Sequence, residues 1–246
     1  MLKLEIIDNN GNVKASKSGD KILLNYCEKY NEGDKIRVTL SDTKFIIAQL
    51  DKTLVSSIIY IPNGVFEYEI PYGEKLNAYH AEAWVGNEHT IFVSEATNED
   101  LSEYRNLALN SADKRGVEGY YPHAKANFVT RDESVFEERN SIDGILKNDS
   151  HGSYPYQSWG GGAREDLDYN LYFGRDVEID KIVFILRSDY KDDHDTYWKS
   201  LTITFSDGSK IDAEFKRTPE PQEIVLPEKK IINSLNLSNF KQAANP

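Results

Sequence analysis

Apolar and polar residues alternate through most of the first hundred positions. Leu2, Leu4 and Ile6 alternate with Lys3 and Glu5, and Asn9-Asn10-Gly11-Asn12 then offers residues that tolerate positive φ. Together they predict a strand and a tight turn. Runs at 35–40, 44–50, 54–61 and 65–70 continue the pattern, with Pro62-Asn63-Gly64 as a turn between the last two. Residues 78–85 and 90–94 flank Gly86-Asn87-Glu88 in hairpin fashion, whereas 20–30 fits helix or strand equally by periodicity. Between Thr97 and Asn106 the texture changes. Thr97 or Asn98 caps a short helix whose first turn carries Glu99 and Asp100, where negative charge complements free N–H groups. A domain boundary placed here separates a β-sandwich over 1–104 from a second unit over 105–246.

The second unit opens with Asn106-Leu-Ala-Leu-Asn110 and a long polar stretch, 111–139. Strand patterns follow at 168–174, 177–187, 200–205, 211–215, 222–226 and 231–237, with Ser206-Asp207-Gly208-Ser209 as a hairpin turn. The number of short strands and the turn spacing predict a second sandwich or jelly roll, making the chain all-β. Between these patterns lies 140–160, which mixes an Asp-Gly turn, a histidine, two tyrosines and a tryptophan. Ligand binding is expected near it.

Composition narrows the function. The chain has 246 residues, of which 39% are hydrophobic, enough for packed cores. Tyrosine is abundant, with 15 against 10 Phe and 3 Trp, and suits half-dry surfaces such as sugar sites as well as exposed sheet faces. A formal charge of −12 repels a phosphate backbone, so no nucleic-acid partner is expected. The lone Cys27 excludes an internal disulfide, and no Cys/His spacing suggests zinc. No apolar run is long enough for a leader or a membrane span, so the chain as written reads as cytoplasmic with no membrane partner, and as secreted if a leader precedes it.

The second half resembles the galactose-binding-like jelly roll of the discoidin, or coagulation factor 5/8 type C, superfamily. The likeness rests on the order of Asn106-Leu-Ala-Leu-Asn110, Ser141-Ile-Asp-Gly144, Ser158-Trp159, Leu171-Tyr-Phe-Gly174, Val177-Glu-Ile-Asp-Lys-Ile-Val-Phe184 and Leu201-Thr-Ile-Thr-Phe-Ser-Asp-Gly208. The first 104 residues lie outside it. Two departures, a longer segment before Asp143 and the extra His151-Gly-Ser-Tyr-Pro-Tyr-Gln, fall where that superfamily places ligand loops. The resemblance implies carbohydrate binding at one end of the sandwich and a structural calcium whose carried-over ligand is Asp143.

Sugar recognition needs a flat apolar surface and a few fixed polar groups. Tyr154, Tyr156, Trp159, Tyr190, Tyr197 and Trp198 can supply the first; His151, Arg164, Arg187 and His194 the second. For Trp159 and Trp198 a core role competes with a ligand role, and in the resembled fold the Trp at the Ser-Trp position is commonly core. Arg187, ending an apolar strand, pairs with a carboxylate or reaches a site at the sheet end. The acidic run at 189–195 lacks the glycine and spacing of a calcium loop and reads as solvated. Catalysis is the rival class. Carboxylate pairs such as Glu137 and Asp195 are easy to find in an acidic chain, while no nucleophile elbow or phosphate loop occurs. The expectation is a non-enzymatic binder of a carbohydrate or similar polar small molecule. The alternatives are a protein-interaction module, which includes a homo-oligomer formed through the first domain, and a glycoside hydrolase.

Overall fold

The computed structural model describes residues 1–187 and 197–243. It is all-β. The first half folds as eight strands, β1 (Leu2–Ile7), β2 (Val13–Gly19), β3 (Lys21–Tyr26), β4 (Lys35–Leu40), β5 (Phe45–Gln49), β6 (Ser57–Tyr60), β7 (Val65–Glu69) and β8 (His89–Glu95). They form two four-stranded antiparallel sheets, ordered β2-β1-β4-β7 and β3-β8-β5-β6. Alternation does what it should here. In β3 the residues Ile22, Leu24 and Tyr26 turn inward, and in β4 Ile36, Val38 and Leu40 do, so the two sheets close on one core. The ambiguous 20–30 segment is therefore strand. Edge strand β2 carries no apolar run at all; it forms because β1 needs a partner and the Asp8 carboxylate closes the turn, accepting from the backbone N–H of Asn10 and Asn12. The expected strand at 78–85 is absent. That segment follows a 3₁₀ turn (Gly73–Ala78) and buries Tyr79, Ala83 and Trp84, a spacing no strand can place on one face.

A short helix, α1 (Asn98–Ser102), joins the halves. Thr97 caps it in a complete capping box: its Oγ1 accepts from the Asp100 N–H while the Asp100 carboxylate accepts from the Thr97 N–H.

The second half builds one five-stranded sheet, ordered β12-β11-β13-β10-β9, from β9 (His123–Ala126), β10 (Tyr169–Phe184), β11 (Trp198–Phe205), β12 (Lys210–Glu214) and β13 (Gln222–Gln242). Patterns expected as separate strands at 168–174 and 177–187 are one strand, as are those at 222–226 and 231–237. Register shifts in the β10–β13 pairing, between Tyr172 and Val177 and between Ile179 and Lys181, hide that continuity in the sequence. The sheet bends enough to bring the Phe184 and Phe215 rings within 4.9 Å, closing a second core.

Residues 106–110, expected as an entry strand, form a turn instead. The Asn106 side chain accepts from the Ala108 N–H, and fully buried Asn110 donates to the Pro122 carbonyl. The long segment after it stitches the units together: Ala112, Tyr120, Val129, Val135 and Phe136 join the first core, Ala124 and Ile142 the second. Buried Asp113 fixes its course, accepting from the Ala124 N–H and sitting 2.7 Å from His123 Nδ1. Tyr121 pairs with Tyr60 through two backbone hydrogen bonds, adding one bridge to the outer edge of β6. Among the described residues no helix is long and apolar enough to cross a membrane.

Candidate functional site

Those of the expected ligand residues that are described do not form one cluster. Trp159 packs between Tyr169 and Phe240, at 4.9 and 5.5 Å between ring centres, and its indole N–H donates to the Phe128 carbonyl. Trp198 stacks edge-on against the same Phe240 at 5.0 Å. Both tryptophans are half-buried and pack on the second core. Arg164 forks onto Asp166 and covers the Phe128 ring, so its charge is already answered. His151 is exposed on a loop held by Asn148, which donates to the carbonyls of Leu186 and Pro219; that loop therefore lies beside Arg187. Tyr197 enters β11 next to the chain end, its carbonyl accepting from Ala243. Tyr190, His194 and the acidic run at 189–195 lie outside the described residues, as does Asp195.

Tyr154 goes elsewhere. Its backbone N–H donates to Asn77, and its ring meets His80 edge-on at 5.3 Å; Tyr156 is half-buried in the same turn. Tyr154 and His80 border a small cavity of about 20 Å³ whose floor is Arg139, Asp143 and Gln157. Arg139 is 3% exposed, lies over the Tyr79 ring at 4.5 Å and donates from Nε to Glu137. Arg139 Nη2 and Gln157 Oε1 are buried without partners among the described residues, and a space of this size accommodates about one water.

Asp143 does not have the surroundings of a calcium ligand. One carboxylate oxygen accepts from the Ile145 N–H and the other from Gln157 Nε2, while the Arg139 guanidinium supplies positive charge nearby. Burial, opposed by those three groups, lifts its pKa to about 6. A hard cation needs several oxygen donors, and no group of three or more His, Cys, Asp or Glu is placed to hold a metal among the described residues. The adjoining Asp143-Gly144 turn has a structural task. Gly144 sits at φ +88, and a Cβ there would lie 2.8 Å from Leu109, which lines a much larger opening.

That opening is a cleft of about 290 Å³ between the β5–β6 face and the bulged part of β10. One side is aromatic. Phe45 and Tyr60 are 4.8 Å apart between ring centres, and Tyr121 follows at 6.3 Å. Arg105 and Arg175 form the polar side, with Asp100 and Glu103 also lining it. Arg175 reaches the cleft because the β10 ladder breaks between Tyr172 and Val177, where Gly174 adopts φ +66. No other residue fits Gly174, since a Cβ would run into the Tyr121 ring. The Arg175 guanidinium lies over Phe45 at 5.1 Å and donates from Nη1 to the Asp176 carbonyl. Arg105 donates from Nη1 to the carbonyls of Asp100, Leu101 and Glu103, closing the end of α1.

Among the described residues, neither arginine meets a carboxylate within ion-pair distance. Burial pulls the pKa of each below its ordinary value, and at Arg175 the neighbouring charge of Arg105 pulls the same way. The cleft thus holds two guanidiniums without an ion-pair partner among the described residues, with Asp100 and Glu103 in the same lining. Its residues, at 45, 60, 105, 121 and 175, are too scattered to make a local motif. The Gly-Arg pair inside a strand pattern is the one signal that marked a bulge.

No protein-family model matches the chain, and no curated protein matches it. Among solved structures it is similar to a chitosan-binding module, module 1 of a chitosanase/glucanase from Paenibacillus sp. IK-5, seen as a selenomethionine-labelled point mutant. The match is 13% identical, spans 58% of this chain and 91% of that one, and has a TM-score of 0.38. A likeness of that depth leaves the ligand of this chain to be argued from its own residues.

Proposed function

We propose that the protein binds a carbohydrate without turning it over, and that the cleft between the two β units is where the sugar sits. The observation that carries this reading is a row of Phe45, Tyr60 and Tyr121 rings with the guanidiniums of Arg105 and Arg175 in the same lining, Arg175 over Phe45, in a space large enough for a sugar ring. Aromatic faces take up the C–H face of a pyranose, and arginine donors take up its oxygens. The discoidin-like order of motifs in the second half supports the same class, though it would place the ligand at the loop end near His151 and Arg187. Turnover is disfavoured by the lining itself. Asp100 is committed to capping α1, which leaves Glu103 without the second free carboxylate that glycoside hydrolysis requires.

A thermal-shift series with mono- and oligosaccharides tests the reading. Ligand at a hundred times its Kd stabilises the folded state by about 2.7 kcal/mol, a readable rise in melting temperature. The rise is expected for at least one sugar and is expected to vanish in Tyr60→Ala. No rise with any sugar would contradict the proposal.

One feature favours a protein partner. Val183 and Val225 are exposed on the same face of the β10–β13 ribbon, beside the Lys181–Glu223 ion pair. On that reading the mass measured by light scattering rises with concentration, and a Val225→Lys substitution returns it to the monomer value.

A further inference from the structure

The cleft arginines differ from others in the chain. Arg37, Arg115, Arg131, Arg139 and Arg164 each lie within ion-pair distance of a carboxylate. Arg105 and Arg175 have no such partner among the described residues, although acidic residues outnumber basic ones by 41 to 29. Both are held the same way. A single nitrogen, Nη1, is tied to backbone carbonyls, and the Nε and Nη2 positions are left without a partner among the described residues. The Nε–Nη2 edge of a guanidinium is a parallel two-donor fork that matches the two oxygens of a carboxylate. Neither edge is among the buried polar atoms that lack a partner, so solvent meets it in the free protein and an anion can take that water's place.

Taking the cleft to be a sugar site, as above, we infer that its sugar is acidic: a hexuronate residue, its ring against Tyr60 and Tyr121 and its carboxylate on Arg105 and Arg175. In a hexuronate the carboxylate is attached directly to the ring carbon, so a ring lying on the aromatic wall carries its charge to the flanking arginines without a spacer. A single negative charge suits the surroundings better than a dianion. Asp100 and Glu103 also line the cleft, and repulsion from them grows with the charge of the ligand. A neutral hexose would leave both guanidinium forks with only hydroxyl partners, which make weaker hydrogen bonds than a carboxylate does.

The test is isothermal titration of the intact chain with methyl glycosides of glucuronate, galacturonate and mannuronate, each beside the methyl glycoside of its neutral parent hexose. At least one uronate is expected to bind about tenfold or more tightly than its parent. That advantage is expected to shrink as salt is raised. Arg175→Gln is expected to abolish the advantage while leaving the melting temperature in place. Arg105→Gln serves as the second variant and is expected to abolish the advantage as well, with some fall in melting temperature because Arg105 also holds the end of α1. Equal affinities for acid and neutral sugars would overturn the carboxylate assignment and leave the sugar reading standing. A preference for uronates that survives both substitutions would overturn it too, since the carboxylate would then be held elsewhere. Failure of every sugar to bind would remove the sugar reading, and this inference with it.

Discussion

Arg139 and Arg175 lie on opposite sides of the same junction and are treated in opposite ways. Arg139 is almost fully buried. Burial alone would lower its pKa, yet it is raised, because Tyr79, Tyr68, Asp143 and Glu137 surround the guanidinium and hold its charge. Arg175 is only half-buried, and its pKa is lowered, because burial and Arg105 act on it with no described carboxylate in reply. The first pattern is what a fold does with a charge it needs for its own cohesion: once desolvated, the charge is answered from within. In the second, the charge has no described carboxylate partner, and the proposed uronate would supply one.

The contrast is most easily broken at Arg139. Arg139→Met removes the cation from a largely buried pair and leaves Glu137 and Asp143 without its charge; the expected loss is about 3–5 kcal/mol, read from urea unfolding. Next in size is Asp143, the carboxylate on the same side. Its folded pKa of about 6 lies above the unfolded value of about 4, so between those pH values the folded state holds a proton that the unfolded state has lost. Stability from this group therefore falls as pH rises across that window, by roughly 3 kcal/mol in all. Asp143→Asn is expected to flatten that part of the pH profile, and comparing denaturation midpoints of the two proteins at the ends of the window isolates it from Glu138, which is raised in the same direction by burial. Gly174→Ala should cost about 1–3 kcal/mol, since it strains a left-handed residue and forces the Tyr121 ring off the backbone. It should also disturb sugar binding, because the bulge and the aromatic wall share that contact. Smallest is Arg175→Gln, expected to alter stability by no more than about 0.5 kcal/mol. A large loss there would mean that Arg175 serves the fold as Arg139 does, and the contrast would fail.

Much of the first half is readable from alternation, since β3, β4 and β7 bury every second residue as their sequences suggest. The helix at 98–102 is readable from its cap. What alternation misses is decided by tertiary partners. Strand β2 is polar and exists because β1 pairs with it, and 78–85 turns because Tyr79, Ala83 and Trp84 all go inward. The strands β10 and β13 look broken in the sequence because bulges interrupt their periodicity while the backbone continues. The stretch at 140–160, conspicuous for its mixture of residues, does reach the junction, since Asp143, Tyr154 and Gln157 line the small cavity there. Its Trp159, however, belongs to the second core. Apart from the Gly174-Arg175 pair inside a strand pattern, the cleft leaves no local trace, because its aromatic wall and its two arginines come from five separate parts of the chain and acquire meaning only when the bulge at Gly174 turns Arg175 toward Phe45.

A crystal of the intact chain soaked with the tightest-binding methyl uronide would test the central claim most directly, because it locates the ligand without assuming where it is. Density for a pyranose ring against Tyr60 and Tyr121, with its carboxylate in hydrogen-bond contact with Arg105 and Arg175, is the expected result. Ordered sugar at the loop end beside His151 and Arg187, with the cleft holding only solvent, would contradict it.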